Sequence, residues 1–420
     1  MRYLFIHQNF PGQYKNLAAV LAGDPTNEVV AISKREQDLI KGVRHLKYKI
    51  DPDISPTTLP ELKKFAEYVQ HGKRAADIAL KLKDEGFTPD VIAVHPGWGE
   101  AMYLRDVWPD VPQLHYCEYH FHPWRGVNAP APGKQIKMTD AFRTRSRNTL
   151  GVFSMKEADW GIAPTEWQFN QFPPAFREKM SIIHEGINMG ICRPNEEAVF
   201  TLPNGNTLSQ ADEVVTYVSR NLEPTRGFPQ FMRAAERLCR ERPNAQIIIV
   251  GGDDTSYSAK LSNDKTWREH LLEKVELDLD RVHFVGKLPY NRYLALLQIS
   301  AVHVYLTTPF VLSWSFLEAM AIGCAIVASN TPPVTEVIED DKNALLVDFE
   351  DSDMIADRVH EMLDNPDKAA RLRAAARRSV AERYRLKDCL EAQIALLHDV
   401  AAGRKPRPGF YRAKVNEEVA

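Results

Sequence analysis

A chain of 420 residues is two to three times the usual single-domain size, so two cores of roughly 200 residues are expected. With 44% hydrophobic and 26% charged residues it is no disordered, collagenous or disulfide-stapled chain, and 53 basic against 56 acidic side chains leave no global field for nucleic acid or an anionic membrane. Five scattered cysteines without a C-x-x-C pair argue against a zinc site or disulfide framework, and fit a reducing, cytoplasmic compartment.

Near the start the apolar run Tyr3–Ile6, only four residues before polar ones, is too short for a signal-peptide core and reads as a first strand, 3–7. Short apolar runs then recur at 29–33, 91–95, 113–117, 160–164 and 181–184, with amphipathic stretches 59–85 and 142–158 between them. This is the pattern of a parallel sheet covered on both faces. The second half repeats it at 214–219, 246–251, 282–285, 301–306, 325–329 and 344–347. The apolar stretch 301–329 is broken by His303, Pro309, Glu318 and Gly323, so it reads as strand, turn, helix and strand instead of a membrane span. The expected organisation is a first domain over 1–190, a hinge over 191–212 that includes a small hairpin around Asn204-Gly205, a second domain over 213–395, and a terminal helix and tail over 396–420 that pack back on the first domain. Helices are expected over 354–363 and 368–400. Residues 371–412 carry eleven Lys/Arg against four Asp/Glu.

Several loops at strand ends carry chemistry. The Pro11-Gly12 turn opens a helix after the first strand, a place where backbone N–H groups meet an anion, or simply an ordinary strand-to-helix turn. Arg220 and Arg226 lie six residues apart after strand 214–219; planar guanidiniums there suit a diphosphate, while solvated surface arginines are the plain alternative. Next, Ser313-Trp314-Ser315-Phe-Leu-Glu318 offers either a capping box, Ser315 with Glu318, or a nucleotide site in which free amides of 313–315 face phosphate and Glu318 accepts from ribose. His120-x-His122 with Glu118 could ligate zinc, but no further spaced pair supports a metal. The basic stretch 124–148 (Arg125, Lys134, Lys137, Arg143, Arg145, Arg147 against Asp140) is a solvated surface or an acceptor-side surface.

The ordered set Ile182-Ile-His-Glu-Gly-Ile-Asn188, Arg220…Glu223-Pro-Thr-Arg226-Gly227, Val250-Gly-Gly-Asp253, Phe284-Val-Gly286 and Leu317-Glu318-Ala-Met-Ala-Ile-Gly323 resembles the GT-B glycosyltransferases of retaining family 4 over nearly the whole chain. His95-Pro-Gly-Trp-Gly-Glu100, His115-Tyr-Cys-Glu118-Tyr-His120-Phe-His122 and Pro164-Thr-Glu166-Trp-Gln168 are similar to a bacterial subgroup. The resemblance implies an α/β GT-B fold, two Rossmann-like domains facing each other across a cleft, and transfer from a nucleoside diphosphate sugar to a glycan or lipid-linked acceptor, in bacterial surface polysaccharide synthesis such as lipopolysaccharide assembly. It implies Glu118 or His120 beside the donor sugar as the catalytic pair. Gly12, His95, Glu100, Arg220, Arg226, Phe310, Ser313, Trp314, Ser315 and Glu318 are the implied substrate-binding residues, with no metal, cofactor or nucleic acid. The E-x7-E motif of the family keeps its second carboxylate, Glu318, while Phe310 stands at the first. Rivals are a nucleotide-sugar-binding protein without transfer and a nucleotide-sugar epimerase. The basic segments add an expectation of peripheral association with the cytoplasmic face of the inner membrane.

Overall fold

The computed structural model describes residues 1–36, 40–50, 59–129, 135–261 and 264–411; Lys134, Arg412 and the tail 412–420 named above lie outside them. In chain order the elements are β1 (Arg2–Ile6), α1 (Lys15–Gly23), β2 (Glu28–Ser33), β3 (Val43–Lys47), α2 (Pro60–Asp84), β4 (Val91–Val94), α3 (Leu104–Val107), β5 (Gln113–Tyr116), α4 (Met138–Glu157), β6 (Trp160–Ala163), α5 (Glu166–Gln171), α6 (Pro174–Arg177) and β7 (Met180–Ile182). There follow β8 (Phe200–Thr201), β9 (Thr207–Leu208), β10 (Val214–Asn221), α7 (Phe228–Glu241), β11 (Gln246–Gly252), α8 (Trp267–Leu272), β12 (Val282–Gly286), α9 (Tyr290–Gln298), β13 (Val302–Tyr305) and α10 (Trp314–Ile322). The last are β14 (Ala325–Ser329), α11 (Pro332–Thr335), β15 (Leu345–Val347), α12 (Ser352–Asp364), α13 (Pro366–Arg383), α14 (Leu386–Ala401) and β16 (Gly409–Phe410).

Two compact units result, Met1–Gly186 with Leu386–Ala420, and Ile187–Arg385. In the first, the strands run in the order β16-β7-β6-β5-β4-β1-β2-β3, paired in parallel. Alternation along β1 explains why both faces are covered: Tyr3 and Phe5 pack with Leu396 and Leu397 of α14, whereas Leu4 and Ile6 pack with Ala75 and Leu82 of α2. In the second unit the order is β12-β11-β10-β13-β14-β15, again parallel. Val215 and Tyr217 of β10 pack against Phe231 and Leu238 of α7, and α10 and α13 enclose a second cluster around Phe316 and Met320.

The structure moves the expected division of the chain. Residues 191–212 fall within the second unit, where the antiparallel pair β8–β9 carries Phe200, Leu202 and Leu208 into a cluster with Ile248 and Leu296. The second domain does not run on to 395 either. The helix expected over 368–400 breaks at Tyr384–Arg385, where Arg385 bridges Ile187, and α14 returns to the first unit. Ala392, Leu396, Leu397 and Val400, spaced by four, one and three residues, lie on one face of it and are buried in the first unit's core. Strand β3 escaped notice in the sequence because Arg44, His45 and Lys47 interrupt its apolar run, as an edge strand permits.

Candidate functional site

In a parallel sheet, ligands gather at the carboxyl ends of strands where the strand order reverses. In the first unit β1 lies between β4 and β2, so the loops after β1, β4 and β5 share that edge. They bring together His7, Gln13, His95, Trp98 and Glu118. Asn9 N–H donates to His7 Nδ1 at 2.9 Å, which puts the proton of the neutral ring on Nε2, 2.7 Å from Gln13 Oε1. The Gln13 amide is thereby oriented, and its Nε2 donates to Glu118 Oε1 at 3.0 Å. His95 accepts from Gly97 N–H at 3.2 Å and aims Nε2 at Glu118 Oε2, 3.6 Å away. The His95 ring stacks on Trp98 and Tyr116, at 4.3 and 5.5 Å between centroids. Burial, with a smaller push from His95, holds His7 neutral down to about 3.

Gly12 serves this cluster in a way the sequence did not suggest. Its φ is +45°, and a Cβ there would lie 2.5 Å from His7 Cε1 and Nε2, so the residue lets the turn close on the imidazole.

Two of the implied site residues, Glu100 and His120, stand elsewhere. Glu100 is fully buried, accepting from Tyr48 Oη at 2.6 Å beside His71, and burial raises its carboxyl above the usual range. The expectation that it binds substrate is therefore corrected. His120 turns toward α4 and Phe172, its Nε2 3.3 Å from Asn148 Nδ2, and burial then His122 lowers it to about 4. His122 Nε2 sits 2.9 Å from the Gln171 carbonyl, and among the described residues no three His, Cys, Asp or Glu side chains converge as a metal cluster. Glu118, in contrast, is joined to the His7 group, and Gln168 holds its backbone carbonyl at 2.6 Å.

In the second unit the reversal falls at β10, between β11 and β13. The short turn Pro224–Arg226 ends at Gly227, whose φ of +68° and closeness to Leu306, 2.4 Å from a built Cβ, allow no side chain. Among the described residues Arg226 is fastened through Nη1, to Thr307 Oγ1 at 2.8 Å, the Val311 carbonyl at 3.0 Å and Tyr305 Oη at 3.3 Å. Its guanidinium carbon is 5.7 and 5.9 Å from the Tyr257 and Phe310 ring centres. Those two rings are 4.7 Å apart, and Phe310 is buried. Arg220, at the end of β10, is exposed and makes no hydrogen bond or ion pair among the described residues. Below them Glu223 is buried with Oε2 accepting from the amides of Ser256, Tyr257 and Ser258, at 3.0, 3.0 and 2.8 Å, which fixes the loop bearing Tyr257.

The expected capping box is absent. The N-cap of α10 is Ser313, whose Oγ accepts from Ser315 N–H at 3.3 Å, two residues earlier than a Ser315 cap would sit. Ser313 N–H already donates to Tyr305 Oη at 2.9 Å, so the expectation of free amides at 313 and 315 is corrected; Trp314 has its side chain exposed. Glu318 accepts instead from two tyrosines of α9, Tyr290 Oη at 2.8 Å on Oε1 and Tyr293 Oη at 2.9 Å on Oε2. Sequence reasoning missed His7, Gln13, Tyr257, Tyr290 and Tyr293. For His7 a signal existed, a polar residue immediately after the first strand's apolar run.

Residues 25–191 match the family model described as Glycosyl transferase family 4 group, and residues 201–379 the model described as Glycosyl transferases group 1. A relative in Mycobacterium tuberculosis strain H37Rv, named GDP-mannose-dependent alpha-(1-6)-phosphatidylinositol monomannoside mannosyltransferase, is 28% identical over 235 residues, 54% of this chain and 58% of that protein. The D-inositol 3-phosphate glycosyltransferase of Mycolicibacterium smegmatis is 27% identical over 273 residues, 61% of this chain and 57% of its own. The match thus spans little more than half the length of these curated relatives. Among solved structures, sucrose-phosphate synthase from Thermosynechococcus elongatus superposes with a TM-score of 0.73 at 19% identity, over 96% of this chain and 100% of that one. No helix among the described residues is long and apolar enough to cross a membrane.

Proposed function

From a chain that belongs to the GT-B glycosyltransferases and resembles family 4, we propose an enzyme that moves a sugar from a nucleoside diphosphate sugar to a glycan or lipid-linked acceptor, with retention of configuration. The observation that carries this reading is Arg226, held on Nη1 by Thr307 and Val311, together with Arg220, exposed and without a hydrogen bond or ion pair among the described residues. Anchoring through Nη1 leaves the opposite edge of the guanidinium for a diphosphate, and Arg220 adds a second permanent charge. As the bond between the anomeric carbon and the phosphate oxygen breaks, negative charge grows on the diphosphate. Preorganised guanidiniums stabilise that charge without reorganising, so the reading calls for no metal or cofactor.

Glu318, oriented by two tyrosine hydroxyls, is the acceptor we assign to the ribose, with Trp314 and Ser315 of the same helix start beside the nucleotide. Glu118 is the group we assign to the donor sugar, in preference to His120, since Gln13 and His95 orient it. The assembly of surface polysaccharide, on the cytoplasmic side of the membrane, is the setting this chemistry fits. The relative named for phosphatidylinositol monomannoside supports a lipid-borne acceptor and a nucleotide-sugar donor.

Titration calorimetry tests the core of the proposal. Loss of a charge-assisted contact worth about 1.5 to 3 kcal/mol should make Arg226→Ala bind a nucleoside diphosphate about ten- to a hundredfold more weakly, and the monophosphate less affected. UDP, GDP, dTDP and ADP are the probes, followed by their sugars in a transfer assay. Equal losses for diphosphate and monophosphate, or none, would overturn the assignment; binding without transfer or hydrolysis would favour the binding-protein reading.

A further inference from the structure

The first unit holds a second polar cluster, at residues 184–186 where the chain leaves it, that the transfer reading leaves unused. Gly186 N–H donates to His184 Nδ1 at 2.9 Å, so the proton of the neutral ring sits on Nε2, which faces Glu185 Oε2 at 3.5 Å. Burial holds that imidazole neutral down to about 3, so it meets the carboxyl group as an N–H donor and not as a cation. On the other oxygen, Tyr116 Oη donates to Glu185 Oε1. All three side chains are buried, and Gln393 of α14 fixes the backbone there by donating to the His184 carbonyl at 2.9 Å.

Tyr116 carries this anchor toward the Glu118 group. Its ring belongs to the core of the first unit, packed with Tyr14 and Leu114, and it lies nearly parallel to the His95 imidazole, with 5.5 Å between centroids and 23° between planes. His95 repeats the device seen at His184: Gly97 N–H occupies Nδ1, and Nε2 is aimed at a glutamate, here Glu118 Oε2 at 3.6 Å. That Nε2 is buried and has no hydrogen-bond partner among the described residues, while the Glu118 side chain is 34% exposed and open to a ligand. Burying a hydroxyl and a carboxyl group is costly unless each is paired. Paired as they are, Glu185 and Tyr116 tie the ring behind His95 at one depth and one angle.

We propose that Glu185 is a positioning residue for sugar transfer: through Tyr116 it sets the angle of the His95 ring, and His95 in turn presents a fixed Nε2–H to Glu118. The inference rests on the assignment of Glu118 to the donor sugar, and extends the groups that order that site back to residue 185, one step before the last residue of the first unit's opening segment. Glutamine at 185 would keep size and shape but supply one oxygen for two donors, Tyr116 Oη–H and His184 Nε2–H, so one of them loses its acceptor. Tyr116→Phe keeps the stacked ring and removes its tether.

The test uses the full chain with isotopically labelled histidine and two-bond proton–nitrogen spectra of the imidazoles, with His95→Gln and His184→Gln to identify the two rings. The parent should show the Nε2–H tautomer at both. Glu185→Gln should move the His95 ring resonances, and should no longer do so in a Tyr116→Phe background, because the link runs through the phenol. With the donor that a panel of UDP-, GDP-, dTDP- and ADP-sugars identifies, Glu185→Gln should lower kcat about tenfold, where a displacement of about 1 Å can cost a hundredfold, and leave KM for the donor within about twofold. Tyr116→Phe should reproduce the kcat loss, so the outcome does not depend on Glu185→Gln folding. Adding Glu185→Gln to Glu118→Gln should slow turnover no further, since residue 185 acts through Glu118. Binding of the bare diphosphate by calorimetry should be unchanged. A lowered Tm with the His95 resonances and kcat unmoved would make Glu185 a structural prop and overturn the proposal, as would additive losses in the double variant. Unimpaired turnover in Glu118→Gln would refute the assignment of Glu118 and this proposal with it; loss in Glu118→Gln without loss in Glu185→Gln would refute this proposal alone.

Discussion

Replacing Glu318 by glutamine separates structural from nucleotide roles for the carboxylate of α10. In the folded protein Oε1 and Oε2 each accept from a phenol, one on the half-exposed Tyr290 and one on the buried Tyr293. An amide can turn its oxygen to Tyr293 and its NH2 to Tyr290, whose oxygen then accepts, so no buried donor is orphaned. What disappears is the charge assistance. Hydrogen bonds to charged groups contribute about 1.5 to 3 kcal/mol and neutral ones about 0.5 to 1.5, and the exposed partner counts for less, so the loss is about 1 to 2 kcal/mol. For a unit of roughly 200 residues that lowers Tm by about 2 to 8 °C. If the carboxylate also holds a ribose, titration with the bare diphosphate should show a further loss of about tenfold. Tyr293→Phe serves as the comparison, because it weakens the brace but keeps the negative charge; it should lower Tm while diphosphate affinity falls much less than in Glu318→Gln. Calorimetric unfolding and nucleotide titration on both variants give four values. A lowered Tm with intact diphosphate affinity in Glu318→Gln would make Glu318 a brace between α9 and α10 and refute the nucleotide role; no change in either quantity would refute the whole account.

Two further outcomes follow from packing and burial. Gly12→Ala places a methyl against the His7 ring at a φ of +45°, so it should destabilise the protein by about 1 to 3 kcal/mol, read from the denaturant midpoint; an unchanged midpoint would show that the turn has room the distances deny. His7, His115, His184 and His303 are each held neutral to about 3 by burial, below the ordinary value of 6.5. The unfolded chain therefore binds more protons below pH 6.5, and stability should fall as pH drops from 6.5 toward 3, by about 1.4 kcal/mol per pH unit for each such histidine. Urea unfolding at pH 7, 6 and 5 measures the slope; a flat profile would contradict the burial.

The strands that carry both candidate sites were legible because buried parallel strands are continuous apolar runs, and β14 falls on its expected residues 325–329. The Asn204-Gly205 hairpin was legible from its turn residues, but that it packs on β11 was not, since nothing local in 200–208 names the partner. The same limit explains α14. Its return to the first domain was expected, but its periodicity leaves open where it begins, at Leu386 and not at 396. At α10 the spacing Ser315 to Glu318 satisfied the capping rule, yet Ser313 two residues earlier took the cap and the tyrosines of α9 took the carboxylate. Local pattern lost there to partners about 25 residues away in the chain. The Glu223 anchor escaped for a related reason: its three donors are backbone amides of residues 256–258, which no side-chain pattern encodes.

The first unit is a discontinuous one, interrupted after Gly186 and resumed at Leu386. During synthesis its sheet emerges early, but the groove lined by Tyr3, Phe5 and Leu114 stays open until α14 arrives with Leu396 and Leu397. At about 5 to 20 residues per second, the intervening 187–385 segment delays that helix by roughly 10 to 40 seconds. A nascent chain therefore carries an unfilled apolar groove while its second unit is being made and folded, and completion of the first unit comes last. A chain cut at Arg385 should keep the inserted unit whole and leave the outer one sticky, so chaperone dependence should concentrate in the interval before α14 is released.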